Sequence, residues 1–476
     1  MKHTKIVTTI GPATETEEMI EKLALAGMNV IRLNFSHNEH AWHKSIIERA
    51  RKVSKKLNQP IGVLADMQGP RIRLEVAETF SFPRGEKIAV GYKENRDVVP
   101  ADIGMKVIFL DTPNILENIQ VGHTLLIEDG LVELQVTEAR DGYSITEAQT
   151  SGTIKNRKGV NLPDTSFVLP ILSEKDRTDL AFVLKEGVDF VALSFVGSAQ
   201  DLKDAKIEMR KTLPEPALLP LIVSKIERKE AIKNLDEILK ETDAVMVARG
   251  DLGIEMPSSE VSLLQKEIVE KSLWALCPVI VATQMMKSMT DNPRPTRAEV
   301  SDVTNAVVDH TDAVMLSEES AAGKYPIETV AMMKEIIMKT EESPYDNVSQ
   351  AIRLNVQSEY VTMIRSIFEL SRSFEVSAIV LLSVSGYTAK LMSHFRPGID
   401  ILVATPSEAT YNQCALLWGV KPYLFDDKKA LDTLADELIT EAKGDGTLVP
   451  GNRVAVFLGR TPERDFMKLV GVREIR

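Results

Sequence analysis

Eight apolar runs rich in β-branched residues recur between residues 5 and 320, and they constrain the fold more than any other feature. They are Lys5–Gly11, Val30–Ser36, Ile61–Met67, Val188–Val196, Leu219–Glu227, Ala244–Asp251, Pro278–Met285 and Ala313–Ser320. Amphipathic helical patterns separate most of them, among them Glu17–Ala26 closed by Gly27, Ala41–Leu57 and Lys229–Thr242. A continuous apolar run suits a strand buried on both faces, and parallel strands joined through helices are buried that way. Eight such units are the count of an α/β (β/α)8 TIM barrel, whose site lies at the C-terminal ends of its strands.

With 476 residues the chain exceeds one hydrophobic core, and about 150 residues per domain predicts roughly three domains. The rhythm breaks between residues 70 and 163. Short alternating runs there are punctuated by Pro83-Arg84-Gly85, Val121-Gly122, Asp129-Gly130 and Asp141-Gly142, which predicts an all-β insertion built of hairpins. Such an insertion at the catalytic face can act as a lid; a purely decorative domain is the alternative. Ser173-x-x-Asp176 predicts the helix N-terminus at which the barrel resumes. Past Glu342-Ser343-Pro344, the runs Ala378–Leu382, Ile399–Val403 and Val454–Leu458 predict a separate C-terminal α/β domain. The expected domains are 1–69 (barrel, first part), 70–163 (inserted β-barrel lid), 164–342 (barrel, second part) and 345–476 (C-terminal α/β).

The net charge of −12 and the absence of a long basic run argue against a nucleic-acid partner. An anionic substrate must therefore be met by local positive charge. No run of about 18 apolar residues calls for a membrane, and Met1-Lys2-His3-Thr4-Lys5 leads straight into a strand, so a cytoplasmic location is expected. Cys277 and Cys414 read as buried reduced thiols, and Met285, Met286 and Met289 as core. His37, His40 and His43 read as a polar helix start rather than a zinc site.

The chemistry gathers at the ends of the runs. One stops on Ser224-Lys225-Ile226-Glu227 and the next on Arg249-Gly250-Asp251. Either pair alone reads equally as solvated strand ends or a structural ion pair. Together, Glu227 and Asp251 suit one Mg²⁺, an ion that takes one or two protein carboxylates and fills its octahedron with water and substrate oxygens. The other run ends add Arg32, Asn34, Ser36, Asp66, Thr283-Gln284 and Ser317-Glu318-Glu319. Arg32 and Lys225 beside a metal suit a phosphoryl group, and the N–H groups of Gly250 and Asp251 suit a carboxylate. No G-x-x-x-x-G-K-[ST] occurs, so a nucleotide would not be held by a P-loop.

An ordered series of stretches resembles the pyruvate kinases. It comprises Thr8-Thr9-Ile10-Gly11-Pro12-Ala13, Ile31-Arg32-Leu33-Asn34-Phe35-Ser36-His37, Gly69-Pro70 with Arg73, Lys158-Gly159-Val160-Asn161-Leu162-Pro163 and Ser224-Lys225-Ile226-Glu227. It continues with Val247-Ala248-Arg249-Gly250-Asp251-Leu252-Gly253, Ala282-Thr283-Gln284-Met285, Pro293-Arg294-Pro295-Thr296-Arg297-Ala298-Glu299 and Asp302-Val303. The resemblance implies phosphoryl transfer from phosphoenolpyruvate to ADP, giving pyruvate and ATP in the last step of glycolysis, with Mg²⁺ or Mn²⁺.

It also implies roles. Glu227 and Asp251 would bind the divalent metal, Arg32 and Lys225 the phosphoryl group, and Gly250 and Asp251 the carboxylate. Thr283 would lie by the carbon that is protonated, and Arg73, Lys158 and Asn34 by the nucleotide. Asn34, Ser36, Asp66 and the Met67 carbonyl would form the family's K⁺ pocket. Ser383, Ser385, Gly386 and Thr388 resemble its effector-phosphate loop, and a homotetramer is implied. Three positions depart from the common pattern: Arg71 stands where K⁺-dependent members carry Glu, Glu318 replaces a glycine, and Lys287 a frequent glutamate. Arg71 implies that K⁺ is not required. Two other classes stay open: a metal-dependent carbon–carbon lyase or mutase, which needs neither ADP nor lid cations, and a non-catalytic barrel, which would not keep Lys225, Glu227, Asp251 and Thr283 together.

Overall fold

The computed structural model describes residues 2–112, 114–165, 169–346, 359–425, 431–458 and 469–476. Its eight apolar runs close into one parallel barrel. The strands are β1 (Lys5–Thr9), β2 (Val30–Asn34), β3 (Gly62–Asp66), β4 (Phe190–Leu193), β5 (Leu221–Ile226), β6 (Ala244–Ala248), β7 (Val279–Ala282) and β8 (Ala313–Leu316). Closure is made by β8 pairing with β1, Lys5 opposite Ala313. Each strand is shorter than the run that predicts it, because the polar residues at the run's end leave the ladder for the turn that follows.

Alternation sends Val7, Leu64, Phe190, Val223, Met246 and Ile280 into the barrel interior, while their neighbours Ile6, Val63, Val191, Ile222, Val245 and Val279 meet the helices. Burying an aliphatic side chain contributes about 1.5–3 kcal/mol, so two buried faces explain why these strands carry no exposed polar row. Helix boundaries follow the local chemistry. Glu17–Ala26 starts where the Thr16 hydroxyl accepts from Met19 N–H, and ends at Gly27, whose φ of 130° is one only glycine adopts readily. Ser173 and Asp176 form the expected reciprocal capping box. The other Asp176 oxygen accepts from Gly69 N–H at 3.1 Å, so this helix start also anchors the point where the insertion leaves the barrel. The Lys229–Thr242 pattern, in contrast, breaks at Asn234 into Lys229–Lys233 and Leu235–Glu241. The Asn234 amide donates to the Gly197 carbonyl at 2.7 Å instead of facing solvent from one long helix.

The insertion folds as a seven-stranded sheet with a two-stranded ribbon. Thr124–Ile127, Val132–Arg140 and Tyr143–Ala148 form hairpins turning at Gly130 and Gly142, with φ of 87° and 79°. Hairpins alone do not build it, however: Lys87–Tyr92 lies parallel to Lys106–Leu110, because the chain between them crosses over through the 3₁₀ turn Lys93–Val98.

The C-terminal domain is a five-stranded sheet with helices. Two of its strands, Val420–Leu424 and Leu469–Glu474, escaped the pattern reading. Both lie at sheet edges, where Pro422 can interrupt the run without removing a ladder bond that matters. This domain sits under the N-terminal end of the barrel. Ala415 and Leu416 join the barrel's interior cluster, the buried Lys5 ammonium donates to Val420 O at 2.8 Å, and Arg396 pairs with Asp312 at 2.9 Å.

Met285, Met286 and Met289 are fully buried, and both cysteines are buried and free. His43 departs from a polar helix start: it stacks on Phe35 at 3.9 Å, and burial pushes its imidazole down to about 4. Among the described residues no helix is long and apolar enough to cross a membrane.

Candidate active site

Three of the buried ionised groups meet at the C-terminal mouth of the barrel. Asp66 ends β3, Lys225 is the next-to-last residue of β5, and Glu227 follows it; the two carboxylates are 1% exposed and the lysine 9%. Lys225 Nζ lies 3.2 Å from Asp66 Oδ1 and 2.9 Å from Glu227 Oε1, and donates to Ser194 Oγ at 2.7 Å. The Ser194 hydroxyl in turn donates to Met67 O at 2.8 Å. On the other side, Arg32 Nε and Nη2 both reach Asp66 Oδ2 at 2.7 Å, and Arg32 Nη1 donates to Thr9 Oγ1 at 3.0 Å. Buried charge is tolerated only when paired in this way.

The ionisation states follow. Burial alone would lower the Lys225 ammonium, but Asp66, Glu227 and Asp251 outweigh it and hold the pKa above the ordinary lysine range. Burial would raise Asp66, but Lys225 and Arg32 outweigh it and hold the carboxyl below its usual range. Glu227 goes the other way: burial, reinforced by Asp251, pushes it up to about 7 against the pull of Lys225.

The β6 and β7 ends complete the mouth. The helix Arg249–Glu255 starts directly after β6. The Arg249 guanidinium reaches Asp302 Oδ1 and Thr283 O, each at 2.7 Å, and Ala282 O at 3.3 Å. It thereby braces Thr283 and Gln284, whose φ of 70° and 55° are unusual, the first for a β-branched residue. The Thr283 hydroxyl accepts from Gly250 N–H at 2.8 Å. Glu319 ties the β7 and β8 turns by accepting from Met286 N–H at 3.2 Å and Ser317 N–H at 2.8 Å. The Asp251 carboxylate makes no hydrogen bond or ion pair among the described residues. The cluster thus sets two cations, Arg32 and Lys225, against three carboxylates, Asp66, Glu227 and Asp251, and its surplus negative charge lies between Glu227 and Asp251.

Comparison with known proteins decides the class. The family model described as "Pyruvate kinase, barrel domain" matches residues 1–330, and "Pyruvate kinase, alpha/beta domain" matches residues 362–470. The chain belongs to the pyruvate kinase family. The Staphylococcus epidermidis pyruvate kinase is 42% identical over 465 residues, covering 96% of this chain and 78% of that one. The Staphylococcus aureus enzyme is 41% identical with the same coverage. A crystal structure of a pyruvate kinase from Cryptosporidium parvum superposes with a TM-score of 0.92 at 30% identity, covering 100% of this chain and 96% of that one. The activity is that of a phosphotransferase: phosphoenolpyruvate and ADP give pyruvate and ATP in glycolysis.

The fold places the sequence-derived residues unevenly. Arg32, Asp66, Lys225 and Glu227 are in direct contact, and Thr283 meets Gly250. Asn34, the ladder neighbour of Asp66, turns its Oδ1 to accept from Ser36 N–H at 3.1 Å. Arg73 and Lys158 stand on the two segments that root the insertion, which meet in an antiparallel bridge between Arg73 and Gly159: Arg73 Nη1 donates to Arg157 O at 3.1 Å, and Lys158 pairs with Glu128. Arg71 pairs with Asp129 at 2.6 Å. In the C-terminal domain Ser383 and Thr388 are buried, the latter 3.1 Å from the Tyr360 hydroxyl, whereas Ser385 is exposed and Gly386 caps the helix Tyr387–His394. The departures Lys287 and Glu318 pair with each other.

Thr9 and Ser194 were missed, although both stand at the C-terminal ends of barrel strands, β1 and β4. Small hydroxyls at those positions were the available signal. Arg249 acts at the site through Thr283, and lysine cannot reproduce its fork. Arg249→Lys is expected to lower kcat by on the order of tenfold or more, through misplacement of Thr283. Steady-state kinetics alongside a near-unchanged thermal midpoint would check this.

Proposed function

We propose that Glu227 and Asp251 hold a divalent cation, Mg²⁺ or Mn²⁺, that Arg32 and Lys225 hold the phosphoryl group of phosphoenolpyruvate, and that Gly250 and Asp251 N–H receive its carboxylate. The observation that carries this is the unpartnered Asp251 carboxylate beside a buried Glu227 raised toward neutrality, a donor set short of one positive charge. Hard oxygen ligands in that number suit such an ion, with substrate and water completing its shell. When bound it supplies positive charge to the transferring phosphoryl oxygens and to the developing enolate. Lys225, held protonated by its carboxylates, donates to the same oxygens and stabilises the enolate once the phosphoryl group has left in line to ADP. The substrate carboxylate takes Gly250 N–H from Thr283. That frees the Thr283 hydroxyl to direct a water that protonates the methylene carbon.

Asn34, Arg73 and Lys158 are assigned to the nucleotide phosphates, and the insertion acts as the lid that brings Arg73 and Lys158 down. We place the lid at residues 70–163, the barrel at 1–69 and 164–342 and the C-terminal domain at 345–476. A cytoplasmic homotetramer is proposed from family resemblance. The metal assignment predicts that Glu227→Ala and Asp251→Ala fold, keep their circular dichroism, and lose nearly all turnover in a coupled pyruvate assay at saturating Mg²⁺. In the same assay the wild type should form pyruvate only when ADP is present; ADP-independent pyruvate formation would point to the lyase class.

We further propose activity without K⁺. Three of the four oxygens of the family's monovalent pocket are engaged internally here: Asp66 by Arg32 and Lys225, the Met67 carbonyl by Ser194, and Asn34 Oδ1 by Ser36 N–H. Arg71 adds a permanent positive charge at the root of the lid, where Glu in other members adds a negative one. The expected result is less than a twofold rise in rate when KCl replaces tetramethylammonium chloride at constant ionic strength, with Arg71→Glu becoming K⁺-dependent. A many-fold stimulation of the wild type would refute the proposal.

For the C-terminal domain we propose that Ser383, Ser385, Gly386 and Thr388 form a phosphate-binding effector loop at the start of Tyr387–His394. Sugar phosphates or AMP should then shift the phosphoenolpyruvate dependence or the melting temperature; a panel that moves neither removes this assignment.

A further inference from the structure

The turn Glu128-Asp129-Gly130 of the insertion joins two sheet strands and lies across both of the insertion's roots. Asp129 pairs with Arg71 on the outgoing root at 2.6 Å, and Glu128 pairs with Lys158 on the returning root. Glu128 N–H also donates to Gly159 O at 3.1 Å. Arg71 passes close over Gly159: a Cβ there would come within 2.6 Å of its Nε, a contact the flexible guanidinium would have to shift to relieve. The turn is held in an unfavourable shape. Glu128 and Asp129 have φ of 54° and 56°, a left-handed pair of non-glycine residues before Gly130 at 87°. What the turn receives in return is the pairing of its two carboxylates with two cations. Those four side chains are 30–65% exposed, so each pair is weak and exchangeable. Arg71 also lines a cavity of about 80 Å³ between the insertion's root and the barrel, which gives its side chain room to swing.

We propose that Glu128 and Asp129 are positioning residues that stand in for the nucleotide's phosphates: their carboxylates pair with Lys158 and Arg71 until a nucleoside di- or triphosphate displaces them. This rests on the assignment of Lys158 to the nucleotide. A polyphosphate brings several charged acceptor oxygens on one ligand and takes both cations at once. A single small anion can replace only one carboxylate and leaves the other in place, so the turn discriminates for polyphosphates while lowering their net affinity. Displacement also releases the strained turn.

The test uses the full-length enzyme with Glu128→Gln, Asp129→Asn and the double variant, near-isosteric changes that keep the turn's hydrogen-bonding capacity; Asn tolerates the left-handed shape. Each single variant should lower KM for ADP two- to fivefold, with the double variant lowering it further. KM for phosphoenolpyruvate, kcat and the melting temperature should be unchanged, and AMP should become a stronger competitor against ADP. Lys158→Met is the control and should raise KM for ADP. If it does so while the carboxamide variants leave KM for ADP unchanged or raise it, the stand-in role is overturned and the nucleotide assignment survives. If Lys158→Met leaves KM for ADP unchanged, the nucleotide assignment falls and the stand-in role falls with it.

Discussion

Asp66 accepting from Arg32 and Lys225 together is the interaction on which the site depends. It ends β3 opposite Asn34 of β2 and Ala192 of β4, so its position is dictated by barrel register rather than by a flexible loop. One carboxylate 1% exposed fixes two cations that would otherwise repel each other, and keeps Lys225 charged where burial favours its neutral form. The cost of burying these ions is offset only because each has several partners. The same pairing leaves the Asp251 carboxylate without an ion-pair partner among the described residues, and that charge imbalance is what the proposed divalent-ion assignment rests on.

Around this rigid centre the surrounding pairs grow more exposed and easier to exchange. At the root of the insertion, Arg71, Lys158, Glu128 and Asp129 are partly solvated, and Gly69 is steadied by the helix cap at Asp176. Lys287 and Glu318 show the weaker end of the series. Each departs from the family pattern, yet they meet across the β7 and β8 turns, so one change of charge answers the other at two 55%-exposed side chains. The stiffer link between those turns is Glu319, buried and bonded to backbone on both sides.

The C-terminal domain meets the opposite end of the barrel. Lys5 opens β1 and Asp312 immediately precedes β8, so the contacts with Val420 and Arg396 attach at the N-terminal ends of strands whose C-terminal ends carry or adjoin Thr9 and Ser317. His3 adds a ring contact with Trp418 at 4.5 Å and a bond to Asp400 at 3.2 Å. Burial lowers Lys5 to about 8 despite Asp400 and Glu341 nearby, so this junction is tightly packed rather than solvated.

By itself the sequence determined the barrel, because eight two-face-buried strands must be continuous apolar runs, and it pointed to the strand ends whose charged residues the fold gathers, because several charged run ends on one barrel face are brought together. Caps and glycines were legible for the same local reason: Gly27 and the Ser173–Asp176 box act within a few residues. Tertiary structure decided what lies across the chain. The parallel pairing of Lys87–Tyr92 with Lys106–Leu110, the edge strands at Val420 and Leu469, and the break at Asn234 depend on distant partners that leave no period in the sequence. So do the missed hydroxyls: Ser194 and Thr9 become site residues only because barrel closure brings Lys225 and Arg32 to them. The partner of Arg71 was equally invisible, since an arginine's reach spans many candidate carboxylates and only the folded hairpin puts Asp129 within 2.6 Å.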